Sequence, residues 1–288
     1  MHALKRSRPL LGTFVEIEVR DEAADDALNA WVTRGFEAVA EVESRMSYFR
    51  EDSDVSRLNR APTGAWVDVH PWTARVLAHA DEVFKASRGL FDIRCGSALA
   101  RAGVLPGRPP AGGARGADAR RSPVETRGSR ARKTGPWVID LGGIAKGFAV
   151  DQAVAAIKAA SRGARSSGWV NAGGDLRAWG AASAVAVREG LGGFGLRGIE
   201  IRCAAVATSS MRTGTGSGRE SPAAYVRRGR LVDREASATV IARSCWQADA
   251  LTKVALLGAR DRATRCLKVF AAKGVVFGSG APAARVLG

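Results

Sequence analysis

The chain has 288 residues, of which 46% are hydrophobic, and a formal net charge of +16 at pH 7. This length allows one large domain or two small ones with a real core, and the ordinary apolar content predicts a globular protein. No run of about eighteen apolar residues occurs, so we expect no membrane-spanning helix. The basic N-terminus lacks the hydrophobic stretch and cleavage site of a signal peptide, which predicts a cytoplasmic location.

A large part of the positive charge lies in a segment rich in Arg, Gly and Pro at about 104–135. The segment has no hydrophobic period, so we expect a disordered or loosely ordered insertion within a single domain spanning 1–288. No helix-turn-helix, RNA-binding aromatic pair or zinc finger accompanies it, and we therefore predict no nucleic-acid partner. A polyanion-binding module built on these arginines remains an alternative.

The hydrophobic pattern predicts strands and helices that mingle without regular βα alternation. Strands are predicted over 13–20, 66–69, 137–139, 168–180 (two pieces around a glycine bend), 184–188, 196–201, 205–209, 225–226, 238–242 and 275–277. Helices are predicted over 21–44, 71–89, 97–102, 148–160, 246–257 and 261–272. This mixture predicts an α+β fold with mixed or antiparallel sheets flanked by helices.

The stretch from Asp140 to Gly147 reads Asp-Leu-Gly-Gly-Ile-Ala-Lys-Gly and separates a buried apolar run from the start of a helix. A strand, a glycine turn and a helix in that order point free backbone N–H groups and a positive dipole end at an anion. Lys146 adds a positive charge there, and Asp140 adds a carboxylate for a ribityl or ribose hydroxyl, or for a metal-bound water. An ordinary strand-to-helix turn with glycines at positive φ is the alternative.

Three further segments carry polar side chains in suggestive places. Asp249 and Lys253 are one turn apart on a predicted helix, with Thr252 beside them, and a simple partner for the helix dipole is the alternative. The glycines within 171–175 allow a ligand, or another backbone segment, to come close. The segment 207–210 places hydroxyl groups at a strand end, where surface polarity is an equally good explanation.

The residues that commonly bind soft metals are sparse. The three histidines all lie in the first third of the chain, and the four cysteines are far apart and read as reduced thiols. No Gly-x-Ser-x-Gly motif is present to suggest a serine triad. Any metal would therefore be a hard ion such as Mg²⁺, held by a carboxylate, carbonyl oxygens and a ligand's phosphates.

Seven sequence blocks, taken in order, are similar to one known family. They are Leu-Gly-Thr-Phe, Met-Ser-x-x-Arg-x-x-Ser-Asp-Val-Ser-Arg-Leu-Asn, Gly-x-Phe-Asp, Asp-Leu-Gly-Gly-Ile-Ala-Lys-Gly, Val-Asn-Ala-Gly-Gly-Asp-Leu-Arg, Ala-Val-Ala-Thr-Ser-Ser and Ala-Asp-Ala-Leu-Thr. In this order they resemble the FAD:protein FMN transferases, the ApbE family, from about Leu11 to Leu257. The resemblance implies a fold related to the T-fold.

The resemblance also implies an activity and a set of site residues. FMN would pass from FAD to a threonine hydroxyl of an acceptor protein, with Mg²⁺ as cofactor and AMP as the second product. The metal would be held by the carbonyl of Ala145 and the carboxylate of Asp249, with Thr252 as the nearest hydroxyl. The residues expected near FAD are Thr13, Tyr48, Phe49, Asn59, Leu90, Phe91, Asp92, Asp140, Gly143, Lys146, Asn171, Gly173, Gly174, Asp175, Thr208 and Ser209.

This chain departs from the family pattern in two catalytic positions. The family's His-x-x-Asp-Pro-x-Thr-Gly corresponds here to 230–235, where Asp233 is present and the histidine, proline and glycine are not. The expected proton acceptor is then Asp233 or a water. The family's hydroxyl four residues after the metal aspartate is replaced by Lys253, whose ammonium could lie against the phosphates. The alternative function is an FAD-binding protein or FAD pyrophosphatase without transferase activity. Oligomeric state stays open.

Overall fold

The computed structural model describes residues 2–107, 121–162, 164–189, 195–211, 225–227, 229–232, 235–278 and 284–288. The helices in these ranges are α1 (Asp25–Met46), α2 (Asp54–Arg60), α3 (Pro71–Ser87), α4 (Gly96–Arg101), α5 (Ala145–Ala160), α6 (Cys245–Leu257) and α7 (Arg260–Val269). None of these described helices combines the length and the apolar character needed to cross a bilayer.

The strands form one large sheet and three small ones. They are β1 (His2–Leu10), β2 (Thr13–Asp21), β3 (Val67–Asp68), β4 (Val124–Arg127), β5 (Arg130–Lys133), β6 (Ser167–Ala172), β7 (Asp175–Trp179), β8 (Ser183–Glu189), β9 (Gly195–Ile201), β10 (Ala205–Met211), β11 (Val226–Arg227), β12 (Arg230–Leu231), β13 (Ala236–Ala242), β14 (Lys273–Gly278) and β15 (Arg285–Leu287). The large sheet has the order β1-β2-β6-β7-β10-β13-β14-β15, and all its neighbours are antiparallel. The predicted α+β fold is confirmed.

The helices α1, α5 and α6 pack on the large sheet, against β1 and β2, β6 and β7, and β10 and β13 respectively. In β2, Val15, Ile17 and Val19 are fully buried, whereas Phe14 is 68% exposed. Gly35 lets α1 come close to the core, since a Cβ there would lie 2.8 Å from Ile17 Cδ1 and 2.9 Å from Ile157 Cδ1 of α5. The helix α5 is thereby held between α1 and the sheet, with its N-terminus free to face α6.

The boundaries of α3 follow the sequence signals closely. Pro71 occupies the first turn, and the His70 ring accepts a hydrogen bond from the backbone N–H of Trp72. Arg88 adopts the left-handed conformation with φ of 53° after the last helical residue, and Gly89 donates its backbone N–H to the Phe84 carbonyl. The predicted helix start at Pro71 is confirmed.

The basic insertion is partly ordered, which corrects the expectation of disorder for 124–133. The strands β4 and β5 form a hairpin, and β5 also pairs with β3. Ala131 is fully buried, and Lys133 donates to the Asn59 carbonyl at 2.7 Å. The hairpin is attached to the domain through the pairing of β5 with β3, the buried side chains of Val124 and Ala131, and the hydrogen bond of Lys133. Residues 108–120 of the insertion lie outside the described ranges.

The segment 137–139 is not a strand, although its apolar sequence favoured one. The Val138 carbonyl accepts the backbone N–H of Gly96 at 3.1 Å, and the backbone groups of Ile139 bond to a side chain. Asn59 accepts from the N–H of Ile139 and donates to its carbonyl, both at 2.8 Å. A half-buried asparagine thus takes the place of a strand partner for Ile139 and fixes the chain where the glycine turn begins. The edge strand β1 was not predicted, because its basic sequence lacks a clear apolar alternation.

Candidate functional site

The glycine turn at 140–147 leads directly into α5. The Leu141 carbonyl accepts from the backbone N–H groups of Ile144, at 3.0 Å, and Ala145, at 2.9 Å. Gly142 and Gly143 are not among the described glycines with positive φ. The turn therefore does not require glycine at these positions for a left-handed backbone conformation. A Cβ at Gly143 would lie 3.3 Å from Phe91 Cε2 and 3.5 Å from Lys253 Cε. The absence of a side chain at Gly143 therefore allows the Phe91 and Lys253 side chains to pack against the turn.

Asp249 of α6 meets the N-terminus of α5. Its Oδ2 accepts the backbone N–H of Gly147 at 3.0 Å, and the residue is fully buried. Gly147 permits this contact because a Cβ there would lie 2.7 Å from the carbonyl carbon of Cys245 and 2.8 Å from Asp249 Cβ. A carboxylate from near the end of the chain is thus placed at the start of α5, as the sequence led us to expect.

Two ion pairs lie side by side at this helix start, and we call Lys146, Asp175, Asp249 and Lys253 the charge cluster. Lys253 forms an ion pair with Asp249 Oδ1 and donates to the Asp249 carbonyl at 3.0 Å. Lys146 Nζ lies 2.5 Å from Asp175 Oδ2. The Lys253 and Lys146 side chains are 13% and 32% exposed, so both ammonium groups are shielded yet not sealed from solvent.

The charges in the cluster shift one another's pKa values. Burial and the neighbouring Asp249 charge raise the pKa of Asp175, and Lys146 opposes this shift. Burial also disfavours ionisation of Asp249, but the charges of Lys253 and Lys146 outweigh it and lower the pKa of that carboxyl. Burial alone would lower the pKa of Lys146, yet Asp175 and Asp249 outweigh it and raise that pKa. Lys146 therefore carries its charge into the site.

Two hydroxyl groups, those of Ser209 and Thr252, lie next to Asp249 of the charge cluster. Ser209 Oγ lies 2.7 Å from Thr252 Oγ1, and Thr252 donates to the Asp249 carbonyl at 2.7 Å. Thr208, the neighbour of Ser209 on β10, lies 2.9 Å from Thr239 Oγ1. Successive strand residues point to opposite faces. Ser209 therefore lies beside the charge cluster through Thr252, whereas Thr208 is bonded to Thr239 of β13.

The turn between β6 and β7 brings a second group of expected residues together. Gly173 and Gly174 have φ of 60° and 98°, a conformation that glycine adopts readily. Asn171 Oδ1 accepts the Gly174 N–H at 3.1 Å and closes the turn. A Cβ at Gly173 would lie 2.7 Å from Thr13 Oγ1, so Thr13 borders this turn. Asp175, the first residue of β7, then carries the turn into the charge cluster.

A third group surrounds the first residue of the glycine turn. Asp140 Oδ2 accepts the Gly142 N–H at 3.1 Å, and burial raises the pKa of Asp140. Burial, followed by the Asp140 charge, raises the pKa of the Tyr48 hydroxyl. Asn59 holds Ile139 immediately before the turn. Asn59 therefore contacts the residue before the turn, and Tyr48 lies within electrostatic range of Asp140.

The remaining residues expected near FAD differ in their exposure and in the partners they already have. Phe49 is 69% exposed and presents an open aromatic ring. Leu90 and Phe91 are buried. Asp92 is engaged by Arg94, whose backbone N and Nε both lie 2.9 Å from Asp92 Oδ1. Asp92 therefore fixes its own loop. Asp233, the expected proton acceptor, lies outside the described residues.

The Asp249 carboxylate and the Thr252 hydroxyl, two of the groups expected to hold Mg²⁺, are already engaged by protein groups. Asp249 Oδ1 contacts the Lys253 ammonium, Asp249 Oδ2 accepts from Gly147, and the Thr252 hydroxyl is bonded to Ser209 and to a carbonyl. Among the described residues, no three His, Cys, Asp or Glu side chains form a group that could hold a metal ion. Mg²⁺ requires near-octahedral oxygen coordination. The donor set in the charge cluster does not fit such an ion.

Sequence reasoning missed Asp151 of α5, which pairs with Arg177 of β7 and accepts backbone hydrogen bonds from α6. Asp151 accepts the N–H groups of Cys245 at 2.9 Å and Trp246 at 3.0 Å, and its Oδ1 lies 2.5 Å from Arg177 Nη1. It therefore caps the start of α6, the helix that carries Asp249. The only sequence signal was an aspartate among the apolar residues of α5. Its partners Arg177, Cys245 and Trp246 lie 26, 94 and 95 residues further along the chain.

A groove of about 500 Å³ lies elsewhere, and its lining includes Arg34, Glu41, Trp72 and Ala159. The α5 residues that line it belong to the C-terminal third of that helix, roughly 16 Å or more along the axis from Ala145. This groove is therefore separate from the charge cluster.

The architecture and the site together define a class of protein. The family model described as "ApbE family" matches residues 11–275. The chain belongs to the ApbE family.

Solved structures share this fold over almost the whole chain. The ApbE protein of Thermotoga maritima has a TM-score of 0.83 at 22% identity, covering 99% of this chain and 97% of that one. The flavin transferase ApbE of Vibrio cholerae has a TM-score of 0.81 at 20% identity, with 99% and 97% covered. The flavinyl transferase ApbE of Pseudomonas stutzeri, in its apo form, has a TM-score of 0.78 at 22% identity, with 99% and 94% covered. No curated protein matches the chain.

Proposed function

We propose that this protein transfers FMN from FAD to a threonine hydroxyl of an acceptor protein and releases AMP. The observation that carries the proposal is the charge cluster, which sets two lysine ammonium groups at the N-terminus of a helix entered through a glycine turn. Membership of the ApbE family, and the similarity to proteins described as flavin transferases, support the same reaction.

The electrostatics of the cluster suit a pyrophosphate. The helix dipole favours negative charge at the start of α5, where the N–H groups of Ala145 and Gly147 are already bonded to the Leu141 carbonyl and to Asp249. Lys146 and Lys253 add two donors with full charge. As the bond between the phosphates breaks, negative charge grows on the bridging oxygen, and preorganised cations stabilise it. The ammonium groups would therefore stabilise the departing AMP as well as bind FAD.

The residues around the cluster supply contacts for the rest of FAD. Oδ1 of Asp175 is buried without a hydrogen-bond partner, so a ligand hydroxyl would satisfy it. Thr13, Asn171, Gly173 and Gly174 would border the ligand at the β6–β7 turn. The exposed ring of Phe49 is available for stacking on a planar ring system.

The transfer step balances without a further reactant. The threonine oxygen attacks the phosphorus on the FMN side and forms a new P–O bond. The bridging P–O bond breaks, and its electron pair leaves on the AMP phosphate. The hydroxyl proton passes to the carboxylate of Asp233 or to a water. The resulting phosphoester keeps FMN on the acceptor.

One observation favours a second candidate, an FAD-binding protein or FAD pyrophosphatase that does not transfer FMN. Arg230 lies on β12, in the segment that corresponds to the family's histidine-containing motif. An arginine stays protonated in proteins and cannot accept the threonine proton. A protein without any base would bind FAD, or pass its FMN to water, and leave an acceptor unlabelled.

Incubation with FAD and a threonine-bearing acceptor protein separates the two candidates. The transferase predicts AMP together with a fluorescent acceptor, and no label on an acceptor whose threonine is replaced by valine. The pyrophosphatase predicts AMP and free FMN with an unlabelled acceptor. A binding protein predicts quenching of FAD fluorescence without AMP. The absence of both AMP and quenching would contradict both proposals.

A further inference from the structure

The Lys253 side chain lies beside the glycine turn, at the start of α5. Its stem borders the glycine turn, since a Cβ at Gly143 would lie 3.5 Å from Lys253 Cε and 3.9 Å from its Cδ. Its ammonium contacts the carboxylate that also accepts the Gly147 N–H of α5. The Lys253 ammonium, which comes from α6, is therefore held close to the first turn of α5 and to the glycine turn.

Few oxygen atoms near Lys253 remain available as ligands for a divalent ion. Asp249 is fully buried, and its two carboxylate oxygens are already matched by one ammonium and one backbone N–H. A metal at that carboxylate would have to displace the ammonium or lie beside it, and like charges repel strongly at partly buried sites. The hydroxyl of Thr252 is turned to Ser209 and to the Asp249 carbonyl, both at 2.7 Å.

The charge balance of the cluster is complete without a metal. Asp249 is paired with Lys253, and Asp175 is paired with Lys146. The only acceptor of the cluster without a protein partner among the described residues is Asp175 Oδ1. One free oxygen does not make a Mg²⁺ site, which takes about six ligands. An arriving pyrophosphate would instead meet the two ammonium groups directly.

We infer that the Lys253 ammonium takes the place of a divalent metal ion, so that FAD binds to this protein without Mg²⁺. The inference rests on the proposed function, because it assumes that FAD is the ligand of the charge cluster. An ammonium supplies a fixed positive charge and hydrogen-bond donors to phosphate oxygens, but no exchangeable coordination sites. Replacing it by a hydroxyl would leave Asp249 as an uncompensated buried carboxylate, which would then favour a cation.

The test is a titration of FAD with the full-length protein, followed by flavin fluorescence, in EDTA and in excess Mg²⁺. The wild-type dissociation constant is expected to agree between the two solutions within about twofold. Lys253→Thr is expected to bind FAD about tenfold to a hundredfold more weakly in EDTA, because a charged hydrogen bond is lost. Mg²⁺ is expected to restore most of the lost affinity in this variant.

Two control variants separate charge from other effects. Lys253→Arg keeps a cation at the same place and is expected to bind FAD independently of Mg²⁺. Lys158→Thr removes an exposed lysine from the far end of α5 and is expected to behave as the wild type. Thermal unfolding of each variant identifies any loss of folding.

A wild-type protein that binds FAD about tenfold more tightly with Mg²⁺ than with EDTA would overturn the inference and leave the proposed function intact. A wild-type protein that quenches FAD in neither solution would overturn both.

The electron paramagnetic resonance signal of Mn²⁺ gives a second readout that needs no variant. Addition of the wild-type protein to Mn²⁺ and FAD is expected to leave the free-ion signal as it is with FAD alone. A loss of signal that depends on the protein would overturn the inference.

Discussion

Gly147→Ala tests the close approach of α5 and α6 on which the site depends. The added Cβ would lie 2.7 Å from the carbonyl carbon of Cys245 and 2.8 Å from Asp249 Cβ, and backbone cannot rotate away as a flexible side chain can. Alanine in a helix gains about 1 kcal/mol over glycine. The overpacking costs about 1–3 kcal/mol. Loss of the charged hydrogen bond from the Gly147 N–H to Asp249 costs about 1.5–3 kcal/mol more.

The penalties exceed the gain, so we expect the free energy of unfolding to fall by about 3 kcal/mol. Urea denaturation followed by circular dichroism measures this change. FAD affinity should fall as well, because Asp249 and Lys253 move away from α5. Gly198→Ala is a matched control: a Cβ at Gly198 would meet nothing within 4 Å, so its stability should stay within about 0.5 kcal/mol of wild type. A Gly147→Ala protein with the denaturation midpoint and FAD affinity of the wild type would refute this account of the helix contact.

The other predictions concern buried polar groups. Asp151→Ala should lower the free energy of unfolding by about 3 kcal/mol, because it leaves Arg177 and the first N–H groups of α6 without their partner; an unchanged denaturation midpoint would contradict this. Asn59→Ala removes both hydrogen bonds to Ile139 and should cost about 2 kcal/mol in the same assay, whereas a loss below about 0.5 kcal/mol would show that the segment holds itself. Burial raises the pKa of Cys266 to about 12, so the folded thiol keeps its proton longer than the unfolded one. Its contribution to stability is therefore complete below the ordinary thiol pKa and is lost as the pH rises towards about 12. Cys266→Ala should show a shallower loss of stability over that interval, and identical slopes would contradict the reasoning.

Elements with a strong period or a clear terminus were predictable from the sequence. The alternation in β2 places Val15, Ile17 and Val19 in the core, and Pro71 marks the start of α3. The hairpin β6–β7 follows from two glycines, which adopt positive φ as a tight turn requires. These signals are local, so they survive in any fold that buries the same face.

Elements fixed by distant partners were not predictable. The apolar run 137–139 has the composition of a strand, yet the backbone groups of Ile139 bond to Asn59, 80 residues earlier, and the Val138 carbonyl bonds to Gly96. The basic strands β4 and β5 have no apolar period and are attached through Ala131 and Lys133. Nothing in either stretch reveals a partner so far away along the chain.

Some contacts of the candidate site were likewise predictable from the sequence, and others were not. The resemblance in order of seven short blocks predicted that Asp249 would meet the turn before α5, and the hydrogen bond to Gly147 confirms this. The pairing of Asp249 with Lys253 could be anticipated only as two residues one turn apart on α6. The pairing of Lys146 with Asp175 joins two blocks across 29 residues and required the folded structure.

Mass spectrometry of a threonine-bearing acceptor protein, after incubation with FAD and this protein, tests the central claim most directly. The account predicts that wild-type protein adds one FMN to the acceptor threonine by a phosphoester bond and that Asp249→Ala, compared at equal folded fraction, adds far less. An acceptor whose mass stays unchanged with folded wild-type protein and FAD, or one labelled equally well by Asp249→Ala, would contradict it.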